Sequence, residues 1–209
     1  LTPAAQKMYK TLSEESVLYT KQGTINAVNA GARVKKLLQL VSGAVYDEQG
    51  DAKYIHQQRY DMIMDLLEVR KHSLVAFNWR HERNALTALA DKRGYTYEII
   101  DGETNPQKRV DIVQRFQAGQ IKVLFAHPQS ASHGLTLTKA TTCIWCSPTY
   151  NAEHFQQFNR RIHRSGQTSK TETILIAARN TWEETVYEKL NGKLGKMENL
   201  LHILNKLNN

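Results

Sequence analysis

At 209 residues, 41% of them apolar, the chain can bury one real core with appendages. No run approaches the ~18 apolar residues of a membrane-spanning helix, so no membrane partner is expected. Lys and Arg (28) outnumber Asp and Glu (20), a formal charge of +8 that favours a polyanionic partner, nucleic acid before a membrane surface.

The opening LTPAAQKMYK has no charged-then-apolar leader pattern and no initiator methionine, and it reads as an internal piece of a longer chain. PAAQKMYKTLSEES and INAVNAGARVKKLLQLVSG are predicted helical, and AVYDEQGDAKYI is predicted to be a hairpin turning at Gln49–Gly50. Residues 1–58 form a lead-in on this reading.

From there five apolar runs recur: SLVAF from Ser73, YEII from Tyr97, KVLFA from Lys122, TCIWC from Thr142 and TILIAA from Thr173. Each is near-continuous, the pattern of strands covered on both faces. Amphipathic segments lie between several of them. NPQKRVDIVQRFQAG offers Asn105 as a cap, Pro106 in the first turn, an apolar face of Val110, Val113 and Phe116, and Gly119 as the stop. Strand–helix alternation of this kind predicts an α/β fold with a parallel sheet and helices on both faces, over residues 59–190. Thr181 and Glu184 form a T-x-x-E capping box. Past Gly192 and Gly195, residues 191–209 read as a C-terminal amphipathic helix with Met197, Leu200, Leu201, Leu204 and Leu207 on one side.

Two features look like metal chemistry and are set aside. Cys143 and Cys146 make a C-x-x-C, but no second ligand pair completes a zinc site, so they are read as buried core thiols in a reducing, cytosol-like compartment. Asp101 and Glu103 lack the third acid of a nuclease, and a D-G turn accounts for Asp101.

The densest basic stretch is FQQFNRRIHRSGQ, Phe155 to Gln167. Wound as a helix at about 100° per residue, it places Gln157, Arg161 and Arg164 in one stripe within roughly 60° of each other. Phe155, Phe158 and Ile162 fall on a separate apolar stripe, and Gly166 would end the helix just past Arg164. Arginine suits phosphate because its planar fork donates two parallel hydrogen bonds and keeps its charge.

These residues carry a resemblance. QQFNRRIHRSGQ resembles the last signature motif of Swi/Snf-type superfamily-two helicases, Q-A-x-x-R-x-x-R-x-G-Q, through Gln157, Arg161, Arg164, Gly166 and Gln167. Phe158 replaces the usual alanine. VAFNWRHE resembles the F-S-x-W segment of the family's second RecA-like lobe, and IIDGETNPQKRVDIVQRFQAG its D-G-x-T segment. SASHGLTLTKA resembles the glycine-rich A-G-G-x-G-x-N-L-T-x-A segment, with Ser132 and His133 where alanine or glycine is usual and Thr136 for asparagine. The compact lobe, without a large insertion, looks more like a phage or bacterial member than a eukaryotic remodeller.

The resemblance implies a second motor lobe that works across a cleft from a first RecA-like lobe, with ATP and Mg²⁺ held mainly by that first lobe. The sequence contains no G-x-x-x-x-G-K-[ST] and no D-E-x-H. Arg161 and Arg164 are then arginine fingers, and Gly134, Gln157 and Gln167 lie against ATP. Asn78, Arg80, Lys108, Arg109, Ser130, Ser132 and Thr136 are candidate contacts to double-stranded or branched DNA. The implied location is the cytoplasm of a bacterium or a phage-infected cell, or a eukaryotic nucleus. The alternative reading is a non-catalytic nucleic-acid-binding lobe.

Overall fold

The computed structural model of the chain describes residues 1–15, 17–20, 23–27, 29–131 and 134–192. They form two compact units: Leu1–Arg59 together with the segment from Ala177 onward, and Tyr60–Ile176.

In the first unit α1 (Pro3–Glu15) starts where the Thr2 hydroxyl accepts a bond from the Ala5 N–H. β1 (Val17–Thr20) and β2 (Gly23–Asn26) pair antiparallel, so the helix expected from Ile25 onward begins later. α2 (Ala30–Ser42) opens at Asn29, whose side chain accepts from the Ala32 N–H at 2.8 Å, and closes at Gly43, whose φ of 126° favours glycine. The expected hairpin follows as β3 (Ala44–Tyr46) and β4 (Ala52–Tyr54), with Gly50 at φ 85° in its turn.

This unit keeps a buried ion pair. Arg59 donates to Glu183 at 2.7 Å and to the Val41 carbonyl at 2.8 Å, and Glu183 also accepts the Ala178 N–H at 2.8 Å. Nearby, His56 Nε2 meets the Leu40 carbonyl while its Nδ1 is buried without a hydrogen-bond partner among the described residues. Burial, and then the charge of Arg59, push the imidazole down to about 4 from its ordinary 6.5. Protonation would leave a charged N–H with no acceptor. The unfolded chain therefore binds the extra proton first, so stability is complete above pH ~6.5 and declines as pH falls toward about 4. Thermal melts from pH 7 to pH 5 are expected to show falling stability, and His56→Gln to flatten that slope.

The second unit opens within α3 (Gln58–Glu68), a helix that sequence reading passes over. Then come β5 (Ser73–Ala76), α4 (Arg80–Lys92), β6 (Tyr97–Ile100), α5 (Pro106–Gln117), β7 (Val123–Ala126), the single turn α6 (Pro128–Ala131), β8 (Thr142–Trp145), α7 (Ala152–Asn159) and β9 (Glu172–Leu175). Each predicted apolar run supplies one strand. All pair in parallel, in the order β6-β7-β5-β8-β9. Only the three central strands are buried throughout. β6 and β9 are edges, and Glu172 and Thr173 at the start of β9 are exposed.

Tyr60, Ile63, Met64 and Leu67 of α3 pack with Leu86 and Ala90 of α4 and with Val75, Val123, Phe125 and Ile144 of the sheet. A second set of rings places Phe155 and Phe158 of α7 at 4.8 and 5.0 Å from Trp145. The Asn105 cap and Pro106 act as expected, but α5 buries Ile112 and Phe116, and Val110 is 51% exposed. Cys143 and Cys146 are buried thiols outside any disulfide among the described residues, and burial pushes the Cys143 thiol far up. In the first unit again, α8 (Trp182–Leu190) is capped by Thr181, whose hydroxyl accepts the Glu183 N–H. Glu184 accepts from Asn180, so the reciprocal box is offset by one residue. The stripe from Met197 to Leu207 lies outside the described residues. Among the described residues no helix is long and apolar enough to cross a membrane.

Candidate functional site

The arginine stretch does not form the long helix that its spacing suggests. α7 ends at Asn159, with Arg160 as its C-cap. The Asn159 side chain accepts from Trp145 Nε1 at 2.8 Å, and the Arg161 carbonyl accepts the Leu137 N–H at 3.0 Å. These contacts pull the chain off the helical path, and residues 160–166 run through turns and bends. Arg161 and Arg164 are therefore placed by the neighbouring loop. Gln157 stays on α7, its amide donating to Glu153 at 2.7 Å. Phe155, Phe158 and Ile162 are buried as the apolar stripe requires.

The loop is the glycine-rich segment. Arg161 donates to the Leu135 carbonyl at 3.4 Å; Arg164 donates to the Gly134 and Leu135 carbonyls at 3.4 and 3.3 Å. Two guanidinium groups thus converge on one stretch of backbone. Arg161 is 9% exposed, and burial followed by the charge of Arg164 pushes it below its ordinary value. An anion placed here relieves the like-charge repulsion. Arg164 is exposed and forms no ion pair among the described residues. Gly134 has φ 63°, and a Cβ there would meet nothing within 4 Å, so the glycine serves the turn while the space above it stays open.

Gln167 clamps this arrangement. Its Nε2 donates to the Thr138, Ala140 and Ile162 carbonyls at 3.0–3.1 Å, and its Oε1 accepts the Ser169 N–H at 3.0 Å. The amide is occupied inside the lobe, holding the Arg161–Arg164 segment to the loop. Gln117, which sequence reading missed, works from the far side: it donates to the Thr138 hydroxyl and accepts the Lys139 N–H. No periodicity marks such a residue. Gln167→Glu should cost about 1–3 kcal/mol in chemical melts, because a carboxylate faces three carbonyls that lose their donor.

The other sequence candidates fall elsewhere. Asn78 follows β5, and its side chain donates to the Ser147 carbonyl and hydroxyl at 2.8 and 3.1 Å, tying the ends of β5 and β8. Arg80 and Lys108 are exposed at the first turns of α4 and α5, with Arg109 half-buried beside Lys108. Glu82 secures the start of α4 by accepting the Asn78 and Trp79 N–H groups. Ser130 is half-buried in α6 and Thr136 half-buried in the loop, while Ser132 lies outside the described residues. The structure brings together Gly134, Arg161, Arg164 and Gln167. It leaves Asn78, Arg80, Lys108, Arg109 and Ser130 at the other end of the parallel strands. That end also holds aromatic groups that were not among the sequence candidates for the site, although Trp79 lies in the F-S-x-W-like segment: Trp79 stacked on His81 at 6.5 Å, with Tyr150 edge-on to Trp79 at 6.4 Å.

Among the described residues no group of three or more His, Cys, Asp or Glu is placed to hold a metal ion. The paired guanidinium groups do fit a phosphate.

Residues 58–166 match the family described as the helicase conserved C-terminal domain. The chain is 28% identical, over 99% of its length and 45% of the relative's, to a putative protein, p41, of Acyrthosiphon pisum secondary endosymbiont phage 1. It is 30% identical to the mouse chromodomain-helicase-DNA-binding protein 1-like over 64% of this chain and 15% of that one. The chain thus spans less than half the length of these curated relatives. In fold it is similar to the C-terminal part of the Fun30 ATPase domain, with TM-score 0.59 at 19% identity over 65% of this chain and 47% of that one. It is likewise similar to the C-terminal domain of the DEAD-box protein Dbp5, with TM-score 0.56 at 16% identity over 68% and 82%. The chain belongs to the helicase conserved C-terminal domain family, and its second unit has the parallel-sheet fold of such C-terminal lobes.

Proposed function

We propose that this lobe is the second half of an ATP-dependent double-stranded-DNA translocase or helicase. The observation that carries the reading is the convergence of Arg161 and Arg164 on the Gly134–Leu135 backbone, with Arg164 exposed and unpaired by any carboxylate among the described residues. ATP, held mainly by a first RecA-like lobe along with Mg²⁺, supplies the triphosphate. Arg164 reaches the terminal phosphate across the cleft, and Arg161 supports it from a drier position. Both meet charge that grows as the phosphoryl group transfers. Gly134 leaves room for close approach, and Gln167 fixes the segment rather than touching nucleotide.

At the other end of the sheet, Arg80, Lys108 and Arg109 meet phosphates of duplex or branched DNA, with Ser130 near them and Asn78 bracing β5, and Ser132 and Thr136 of the glycine-rich segment add hydroxyl contacts. DNA on that loop is felt at the fingers because the Leu137 N–H and the Gln167 amide join the two segments. Closing and opening of the two lobes with each ATP would then ratchet the protein along the backbone. Alone, with no phosphate loop, the lobe binds without turning over ATP.

The test is ATP hydrolysis by a protein carrying both lobes, with and without duplex DNA. The reading expects strong stimulation by DNA. Salt-dependent DNA binding indifferent to ATP and to Arg161→Ala, with no hydrolysis, would instead establish the non-catalytic lobe.

A further inference from the structure

The five strands are parallel, so the residues that enter them share one edge of the sheet. Lys71 lies just before β5, Lys139 before β8 and Lys170 before β9. The DNA candidates Asn78 and Arg80 follow the end of β5, and Lys108 and Arg109 follow β6, on the opposite edge. Two adjoining grooves run along the entering edge. One, of about 480 Å³, is lined by Lys71 and Lys139; the other, of about 520 Å³, by Arg164 and Lys170, and the two share Gln167 and Ser169.

The charge here is one-sided. The one carboxylate lining the grooves among the described residues, Glu172, is held by Arg70 at 2.8 Å and by the Thr142 hydroxyl at 2.9 Å, and the bond from Arg70 leads the effects that keep its carboxyl below the usual range. Lys71, Lys139 and Lys170 form no ion pair among the described residues. Thr141 and Ser169 add hydroxyls between the lysines, and among the described residues no aromatic ring lines either groove except the imidazoles of His72 and His163. A surface of lysines and hydroxyls without a stacking platform reads phosphates and ignores bases.

We propose that this entering-edge groove is a second nucleic-acid contact, taking the phosphate backbone of a strand separate from the one on the opposite edge. It grips by charge alone, independent of sequence, and runs past Arg164. The proposal does not rest on the finger reading, since none of the three lysines is assigned to ATP.

The test uses this 209-residue chain and a short fluorescein-labelled DNA duplex, read by anisotropy across a salt series. The triple variant Lys71→Gln, Lys139→Gln, Lys170→Gln should lose affinity at least about tenfold and flatten the log–log salt slope by roughly 2–3. A control with the same charge change, Lys7→Gln, Lys35→Gln, Lys92→Gln, should stay within about twofold of wild type. Circular dichroism confirms that both sets fold. In parallel, lysine acetylation read by mass spectrometry should show Lys71, Lys139 and Lys170 protected by the duplex. Equal losses in the two variants, or no DNA binding by the wild type at low salt, would overturn the proposal. So would equal protection by ATP alone, which assigns the groove to the nucleotide cleft, or by poly-glutamate, which assigns it to an acidic protein partner.

Discussion

In a protein carrying both lobes, Arg164→Lys is expected to lower ATP turnover by roughly 10³-fold or more while nucleotide affinity stays within a few-fold. Among the described residues the side chain is tethered by bonds of 3.3–3.4 Å to two backbone carbonyls and is exposed, so its head is aimed but not used up. Lysine keeps the charge but loses the planar fork that donates two parallel bonds, and those bonds count most when phosphoryl charge spreads over several oxygens. The loss therefore falls on kcat rather than KM. Steady-state kinetics with a nucleotide-binding titration separate the two, and unchanged turnover would end the finger assignment.

Arg59→Ala should destabilise the first unit by about 3–5 kcal/mol in urea melts. Side-chain exposure is 5% for Arg59 and 0% for Glu183, so removing the guanidinium strands a carboxylate away from water. It also frees the Val41 carbonyl, which Arg59 satisfies at 2.8 Å. The double change Arg59→Met, Glu183→Leu should recover most of the loss, because neither charge is then buried alone. It should stop short of wild type by about 1 kcal/mol, since the Ala178 N–H loses its acceptor. A double variant no more stable than Arg59→Ala would mean that the lost packing of Arg59, not the stranded charge, sets the cost.

The sheet was the legible part of the molecule. Its strands are apolar runs that must be covered, and Ser73, Tyr97, Val123, Thr142 and Glu172 open strands at or within one residue of where those runs begin. Local caps were legible too: Asn105 and Pro106 act as their chemistry dictates. What failed was set by distant partners. Ile25 belongs to a strand because it pairs with Leu18, and no helical periodicity records that. Arg161 and Arg164 were singled out by residue type and order, yet their geometry was misread as a helical stripe, because the turn at Arg160 depends on Trp145 and Leu137. Val110 fits an apolar spacing but faces solvent, since Ile112 and Phe116 already fill the interior side of α5. Gln167 was assigned to nucleotide from its motif, whereas its amide is taken by three carbonyls of its own lobe.

The central claim, that Arg164 acts on the transition state rather than on bound nucleotide, is tested most directly by comparing two affinities in the two-lobed protein. ADP with a phosphoryl transition-state mimic, such as aluminium fluoride, is titrated against ADP alone, in wild type and in Arg164→Ala. The account predicts that the variant loses the extra affinity for the mimic, about 10²-fold or more, while ADP binding is nearly unchanged. Equal affinity of wild type and variant for the mimic, or the same loss for ADP as for the mimic, would contradict it.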